Sequence, residues 1–131
     1  MARILVADDQ SPTRLELKEM LLGLGHDVVA EAESGREAVD LALGLKPDLI
    51  LMDLAMSGET NGIDAATKIK VELDIPILFI SNYGEPDSIE AAKQANPSGY
   101  RMKPFGEKQM RASVEIVLDI SRRKQAVAWP T

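Results

Sequence analysis

With 131 residues, 45% of them hydrophobic, the chain is long enough to bury the core of one domain and too short for two ordinary ones. The lack of cysteine excludes disulfides and thiolate metal sites, and a single histidine, His26, excludes a histidine-based metal cluster. A net charge of −6 argues against direct nucleic-acid binding, which needs basic surface. No apolar stretch is long enough for membrane insertion, and Met1-Ala2-Arg3 leads into a strand without a signal-peptide pattern, so a cytoplasmic location is expected.

The first strand is expected over Arg3–Ala7, running into Asp8-Asp9. Ser11 as N-cap and Pro12 at the first helical position then predict a helix. Leu15, Leu17, Met20, Leu21, Leu22 and Leu24 give it a broad apolar face, and Gly23 and Gly25 end it. His26 reads as a solvated turn residue before a second, more exposed strand over 27–32. Ser34 with Glu37 three residues on is a capping box. The helix it opens carries Ala38, Val39, Leu41, Ala42 and Leu45 and stops before Pro47.

Residues 48–52 form an apolar run without period-2 alternation, the pattern of a strand buried on both faces of a parallel sheet. It ends at Asp53. A loop over 54–62 follows, and Ile63, Ala66, Ile69 and Lys70 mark a third helix to about Leu73. A fourth strand over 75–80 ends in Ser81. After a loop, Pro86 opens a short helix over 87–95. The fifth strand, from Gly99, ends in Lys103. The last helix, over 106–124, turns Met110, Val114, Val117 and Leu118 inward; its basic run Arg122-Arg123-Lys124 complements the helix dipole. Residues 1–125 form the domain and 126–131 a frayed tail.

Strands alternating with helices five times give an α/β parallel sheet with helices on both faces and right-handed crossovers. In such a sheet the crevice beyond the carboxyl ends of the strands binds ligands. Asp8, Asp9, Asp53, Ser81 and Lys103 all stand at strand ends. If the strands are parallel neighbours, three carboxylates, a hydroxyl and an ammonium converge on one edge. That is chemistry for a divalent cation plus a phosphoryl group.

Val6-Ala7-Asp8-Asp9, Leu51-Met52-Asp53-Leu54, Phe79-Ile80-Ser81, Tyr100 and Lys103-Pro104-Phe105 occur in this order across nearly the whole chain. Together they resemble the receiver domain of two-component response regulators. The resemblance implies a flavodoxin-like, doubly wound five-stranded sheet of order 2-1-3-4-5 with five helices. It implies Asp53 as phosphoacceptor, forming an aspartyl phosphate. It implies Mg²⁺ (or Mn²⁺) held by Asp8, Asp9, Asp53 and the backbone carbonyl of Ala55, and Lys103 on a phosphoryl oxygen. Ser81 and Tyr100 are the implied switch pair, with Asn82 and Tyr83 at the pocket rim. The implied partner is a histidine kinase or histidine phosphotransfer protein. The output surface, and a possible homodimer contact, is the fourth helix, fifth strand and fifth helix. The domain catalyses only its own phosphorylation and dephosphorylation.

The stretch from Gly58 to Gly62, with Asn61 before the second glycine, resembles receivers attached to sensor or hybrid histidine kinases. A receiver module cut from a larger hybrid kinase or multidomain regulator is therefore an alternative to a stand-alone regulator. An aspartate-nucleophile phosphatase wants a second aspartate two residues after the nucleophile, where this chain has Ala55. A flavodoxin-like cofactor binder needs a phosphate-cradling loop after the first strand, where Asp8-Asp9 would repel phosphate. A degenerate receiver acting only by binding fits poorly with the complete set of Asp8, Asp9, Asp53, Ser81 and Lys103.

Overall fold

The structure is a computed structural model that describes residues 1–56, 60–82, 93, 97–103 and 106–127. Its strands are β1 (Arg3–Ala7), β2 (Asp27–Ala32), β3 (Leu49–Asp53), β4 (Ile77–Asn82) and β5 (Gly99–Lys103). They form one sheet in the order β2-β1-β3-β4-β5, and every pairing is parallel. The helices are α1 (Ser11–Gly23), α2 (Gly35–Leu45), α3 (Gly62–Glu72) and, as α4, the last helix (Glu107–Val127). Among the described residues there are thus four helices where five were expected. The short helix expected over 87–95 falls outside the described residues, Lys93 apart. Helical backbone continues through Val127, three residues past the expected end of the last helix at Lys124.

Two apolar clusters lie on opposite faces of the sheet. Leu5, Ala7, Ile50, Met52, Ile77 and Phe79 pack with Ala38 and Ala42 of α2 and Ala65, Ala66 and Ile69 of α3. Ile4, Val6, Leu49, Leu51, Leu78 and Ile80 pack with Leu17 and Leu21 of α1 and Met110, Val114, Val117 and Leu118 of α4. Successive residues of β1, β3 and β4 point to opposite faces, and both faces are covered. This is why their sequences are unbroken apolar runs.

Several expectations are corrected at the element ends. Gln10, not Ser11, is the N-cap of α1, and it makes no side-chain capping bond. Pro12 in the first turn already lacks an N–H, so one of the donors a cap would satisfy is absent. Leu15 and Leu22 are 57% and 52% exposed. The buried stripe of α1 is Arg14, Leu17 and Leu21, spaced by three and four residues, which turns their next neighbours outward. Helix α2 ends on Lys46 in the left-handed region at φ 49°, its N–H donating to the Ala42 carbonyl, one residue ahead of Pro47. The Ser34 hydroxyl accepts from the Glu37 N–H at 3.2 Å, but the Glu37 carboxylate reaches back to the Glu33 N–H at 3.3 Å. Strand β4 starts at Ile77 rather than Ile75. His26 is half-buried, and its Nδ1 accepts from the Ala2 N–H at 3.0 Å. Burial, then the N-terminal charge and Arg122, push its pKa below the ordinary value against the pull of Glu115.

Candidate functional site

The parallel order brings the carboxyl ends of β1, β3, β4 and β5 to one edge. Asp8 follows the last residue of β1, Asp53 closes β3, Ser81 lies near the end of β4 and Lys103 closes β5. Carboxylate oxygens of Asp8, Asp9 and Asp53 all lie within 4.8 Å of one another. Asp8 and Asp53 are buried and Asp9 is half-buried. The Lys103 Nζ reaches this cluster from β5, 2.9 Å from Asp8 Oδ2 and 3.7 Å from Asp53 Oδ2. Its side chain is only 14% exposed, so these pairs are shielded from solvent more than surface ion pairs are.

Each acid is fixed by its own loop. The Asp8 Oδ1 accepts from the Gln10 N–H at 2.8 Å, and the Asp53 Oδ1 accepts from the Ala55 N–H at 3.2 Å. The Leu54 N–H donates to the Ile80 carbonyl at 3.0 Å, extending the β3–β4 ladder past Asp53. The Gly62 N–H, at the start of α3, donates to the Leu54 carbonyl at 3.1 Å. A Cβ at Gly62 would collide with the Asp53 carbonyl oxygen, so only glycine lets α3 begin this close to the end of β3. Asn61 caps that helix, its side chain accepting from the Asp64 N–H at 2.9 Å.

The Asp53 pKa is pushed up to about 6, first by burial and then by the Asp8 carboxylate, with a smaller push from Asp9. The Ala55 amide and the Lys103 ammonium oppose the shift. Asp53 therefore ionises just below neutral pH. Three carboxylates facing one ammonium leave an excess of negative charge in a set made wholly of hard oxygen donors. That donor set fits a small divalent cation such as Mg²⁺.

The other expected site residues take these places. Ala55 lies in the exposed turn after Asp53. Ser81 is fully buried in β4, in register with Met102. Tyr100 is half-buried in β5, in register with Phe79, and packs against the core cluster that holds Phe79. The backbone of Asn82 ends β4 opposite Lys103. The Asn82 side chain, all of Tyr83 and residues 57–59 fall outside the described residues.

Sequence reading missed Arg14. It is buried on α1, and its Nη1 donates to the Asp8 backbone carbonyl at 2.7 Å. The signal was its place three residues before Leu17 and seven before Leu21, on the stripe that faces the sheet.

Comparison with known proteins places the chain in a family. Residues 4–115 match the family described as the response regulator receiver domain. The transcriptional regulatory protein PdtaR of Mycobacterium tuberculosis (strain ATCC 25618 / H37Rv) is 36% identical over 126 residues, which are 96% of this chain. The chain spans 60% of the length of PdtaR. The chemotaxis protein CheY of Thermotoga maritima is 38% identical over 104 residues, covering 79% of this chain and 86% of that protein. Among solved structures, the signal receiver domain of a modulated diguanylate cyclase from Desulfovibrio desulfuricans G20 superposes with a TM-score of 0.89 at 28% identity, covering 95% of this chain and 98% of that one.

Proposed function

The chain belongs to the response regulator receiver domains, and we propose that in it Asp53 accepts a phosphoryl group and turns that event into a change of surface. Receiver domains of two-component systems pair with histidine kinases and are generally Mg²⁺-dependent. The observation that carries the proposal is the convergence of Asp8, Asp9, Asp53 and Lys103 at one sheet edge.

In the proposed step a carboxylate oxygen of Asp53 forms the new bond to phosphorus. The phosphorus–nitrogen bond of a phosphohistidine donor breaks, and its electron pair stays on the imidazole nitrogen. The donor is a histidine kinase or a histidine phosphotransfer protein. With a pKa of about 6, Asp53 is mostly ionised at neutral pH and so has the lone pair the attack needs. Its hydrogen bond from the Ala55 N–H and the anchored β3–β4 ladder hold it in one orientation. Asp8, Asp9 and Asp53, with the Ala55 carbonyl, would hold Mg²⁺ (or Mn²⁺), which when bound supplies positive charge against that of the phosphoryl oxygens. Lys103 supplies a second positive charge from the β5 side.

Ser81 and Tyr100 are the proposed switch. Ser81 sits in the strand between those of Asp53 and Lys103, and Tyr100 stands on the neighbouring strand. A hydroxyl drawn towards phosphate changes the packing behind it, which biases a two-state element. The responding surface is proposed to be β5 and the helices on either side of it in sequence, including the stretch 87–95 outside the described residues. A phosphorylation-linked homodimer through that surface belongs to the same reading.

Acid-labile phosphate on Asp53 tests the proposal. The wild-type protein, incubated with a small phosphodonor and Mg²⁺, should gain one phosphoryl group by intact mass. Chelator, or the substitution Asp53→Asn, should abolish the gain. Labelling that persists in either arm rules out Asp53 chemistry of this kind.

A further inference from the structure

Arg14 is a buried cation that phosphoryl chemistry at Asp53 does not use directly. Its Nη1 donates to the Asp8 carbonyl at 2.7 Å. The Nε stands 3.4 Å from Glu31 Oε1, and the Nη2 stands 3.4 Å from Glu33 Oε1. On the other side of the same residue, the Asp8 N–H donates to the Ala32 carbonyl at 3.0 Å. Both peptide groups flanking the Asp8 Cα are therefore tied, one to the end of β2 and one to α1. The planar guanidinium suits this task because it can donate along several edges at once.

We propose that Arg14 is a positioning residue for the cation site, fixing the backbone of Asp8 so that its carboxylate points into the acid cluster. This rests on the phosphoacceptor reading above for the identity of the cation. Glu31 and Glu33 have a part in it. They face the guanidinium from the β2 edge and offset its charge, so that a cation can settle nearby without strong repulsion. Lys18, 3.7 Å from Glu31 Oε2, is the outer member of the network.

Two ways in which Arg14 could act differ in sign. As a mere positive charge near the acids, it opposes cation binding, and its removal would tighten Mg²⁺. As a positioning group it supports binding, and its removal would weaken Mg²⁺. Groups that orient metal ligands from behind are worth roughly 10–100-fold in metal affinity when removed. The variants are Arg14→Met, which keeps an unbranched apolar stem and loses every donor, and Arg14→Lys, which keeps the charge and one point of donation. Mg²⁺ affinity is read by calorimetry at fixed ionic strength, on protein shown to be folded by its thermal melt. Amide hydrogen exchange at Gln10, whose N–H bonds the Asp8 carboxylate, is read without metal.

Arg14→Met should bind Mg²⁺ about tenfold more weakly and exchange the Gln10 amide faster, with Arg14→Lys between it and wild type on both scales. Mg²⁺ affinity equal to or tighter than wild type in a folded Arg14→Met protein overturns the proposal. If Arg14→Met does not fold, Arg14→Lys alone decides: unchanged Gln10 exchange and unchanged affinity overturn it. The exchange measurement needs no metal, so a wild-type protein that bound no Mg²⁺ would sink the phosphoacceptor reading while leaving the positioning role still testable.

Discussion

Asp53 is where the cost of the site is concentrated. Its carboxyl is buried and faces Asp8, and so it holds its proton up to a pH of about 6. The unfolded chain releases that proton near 3.8. Between those values the folded state binds more protons, so the contribution of this group to stability falls as pH rises from 3.8 through 6. Asp53→Asn keeps an acceptor for the Ala55 N–H and removes the charge. The metal-free variant should then be more stable than wild type at pH 8, by up to about 3 kcal/mol. The gain should shrink below pH 6 and vanish below 3.8. Urea unfolding across that range measures it, and an unchanged midpoint at pH 8 would mean that the buried charge is already offset. Lys103 does the opposite work, since its ammonium is the cation seen against Asp8 and Asp53. Lys103→Met should lower metal-free stability at pH 8 by about 2 kcal/mol, because it leaves buried carboxylates without their partner. Mg²⁺ affinity should survive the change. Its complete loss would show that Lys103 holds the acids together rather than facing the phosphoryl group.

At the scale of the element, the strands were legible and the helix starts less so. Strands β1, β3 and β4 announced themselves because burial on both faces forces an unbroken apolar run, and little else in a short sequence looks like that. Caps depend on the conformation of single turn residues. Ser11 as a cap misses the observed one, Gln10, by one residue, and composition puts Asn61 in a loop although its side chain accepts from the Asp64 N–H as the cap of α3. Arg14 was missed for a related reason: a count of apolar residues along α1 skips the one charged residue on the buried stripe and includes Leu15 and Leu22, which face outward. The Gly62 contact was invisible because it joins the start of α3 to the end of β3 through space. It gives a prediction. In Gly62→Ala the new Cβ meets the Asp53 carbonyl oxygen, a backbone atom that the β3–β4 pairing keeps from moving. The variant should be destabilised by about 1–3 kcal/mol, the range for overpacking a filled site. Chemical denaturation checks it. Wild-type stability would mean that the α3 start shifts freely, and with it the backbone at Asp53.

Over the whole molecule, a parallel sheet aligns every strand end on one edge, and this chain has placed an acid, a hydroxyl or an ammonium at or next to each of them, with Asp8, Asp53, Ser81 and Lys103 at β1, β3, β4 and β5 and Glu33 past the edge strand β2. The strand order explains the grouping: β1 and β3 are neighbours, so Asp8, Asp9 and Asp53 meet, while β4 separates Asp53 from the lysine that closes β5. The site was legible in the sequence to the extent that strand ends were. The distances within it come only from the register. That grouping adds local repulsion to a chain already carrying a net charge of −6. Simple salt screens such repulsion weakly at a buried site, whereas a bound divalent ion cancels it directly. Thermal stability at pH 8 should therefore rise with MgCl₂ well beyond NaCl of equal ionic strength, by about 2.7 kcal/mol when Mg²⁺ exceeds its dissociation constant a hundredfold. At pH 5, below the Asp53 pKa of about 6, binding must first displace a proton, and the gain at the same Mg²⁺ concentration should be smaller. The double substitution Asp8→Asn and Asp9→Asn should melt higher than wild type without metal and show no specific response to Mg²⁺. If MgCl₂ and matched NaCl shift the wild-type melt equally at pH 8, the three carboxylates feel only screening, and the strand-end cluster does not hold a cation.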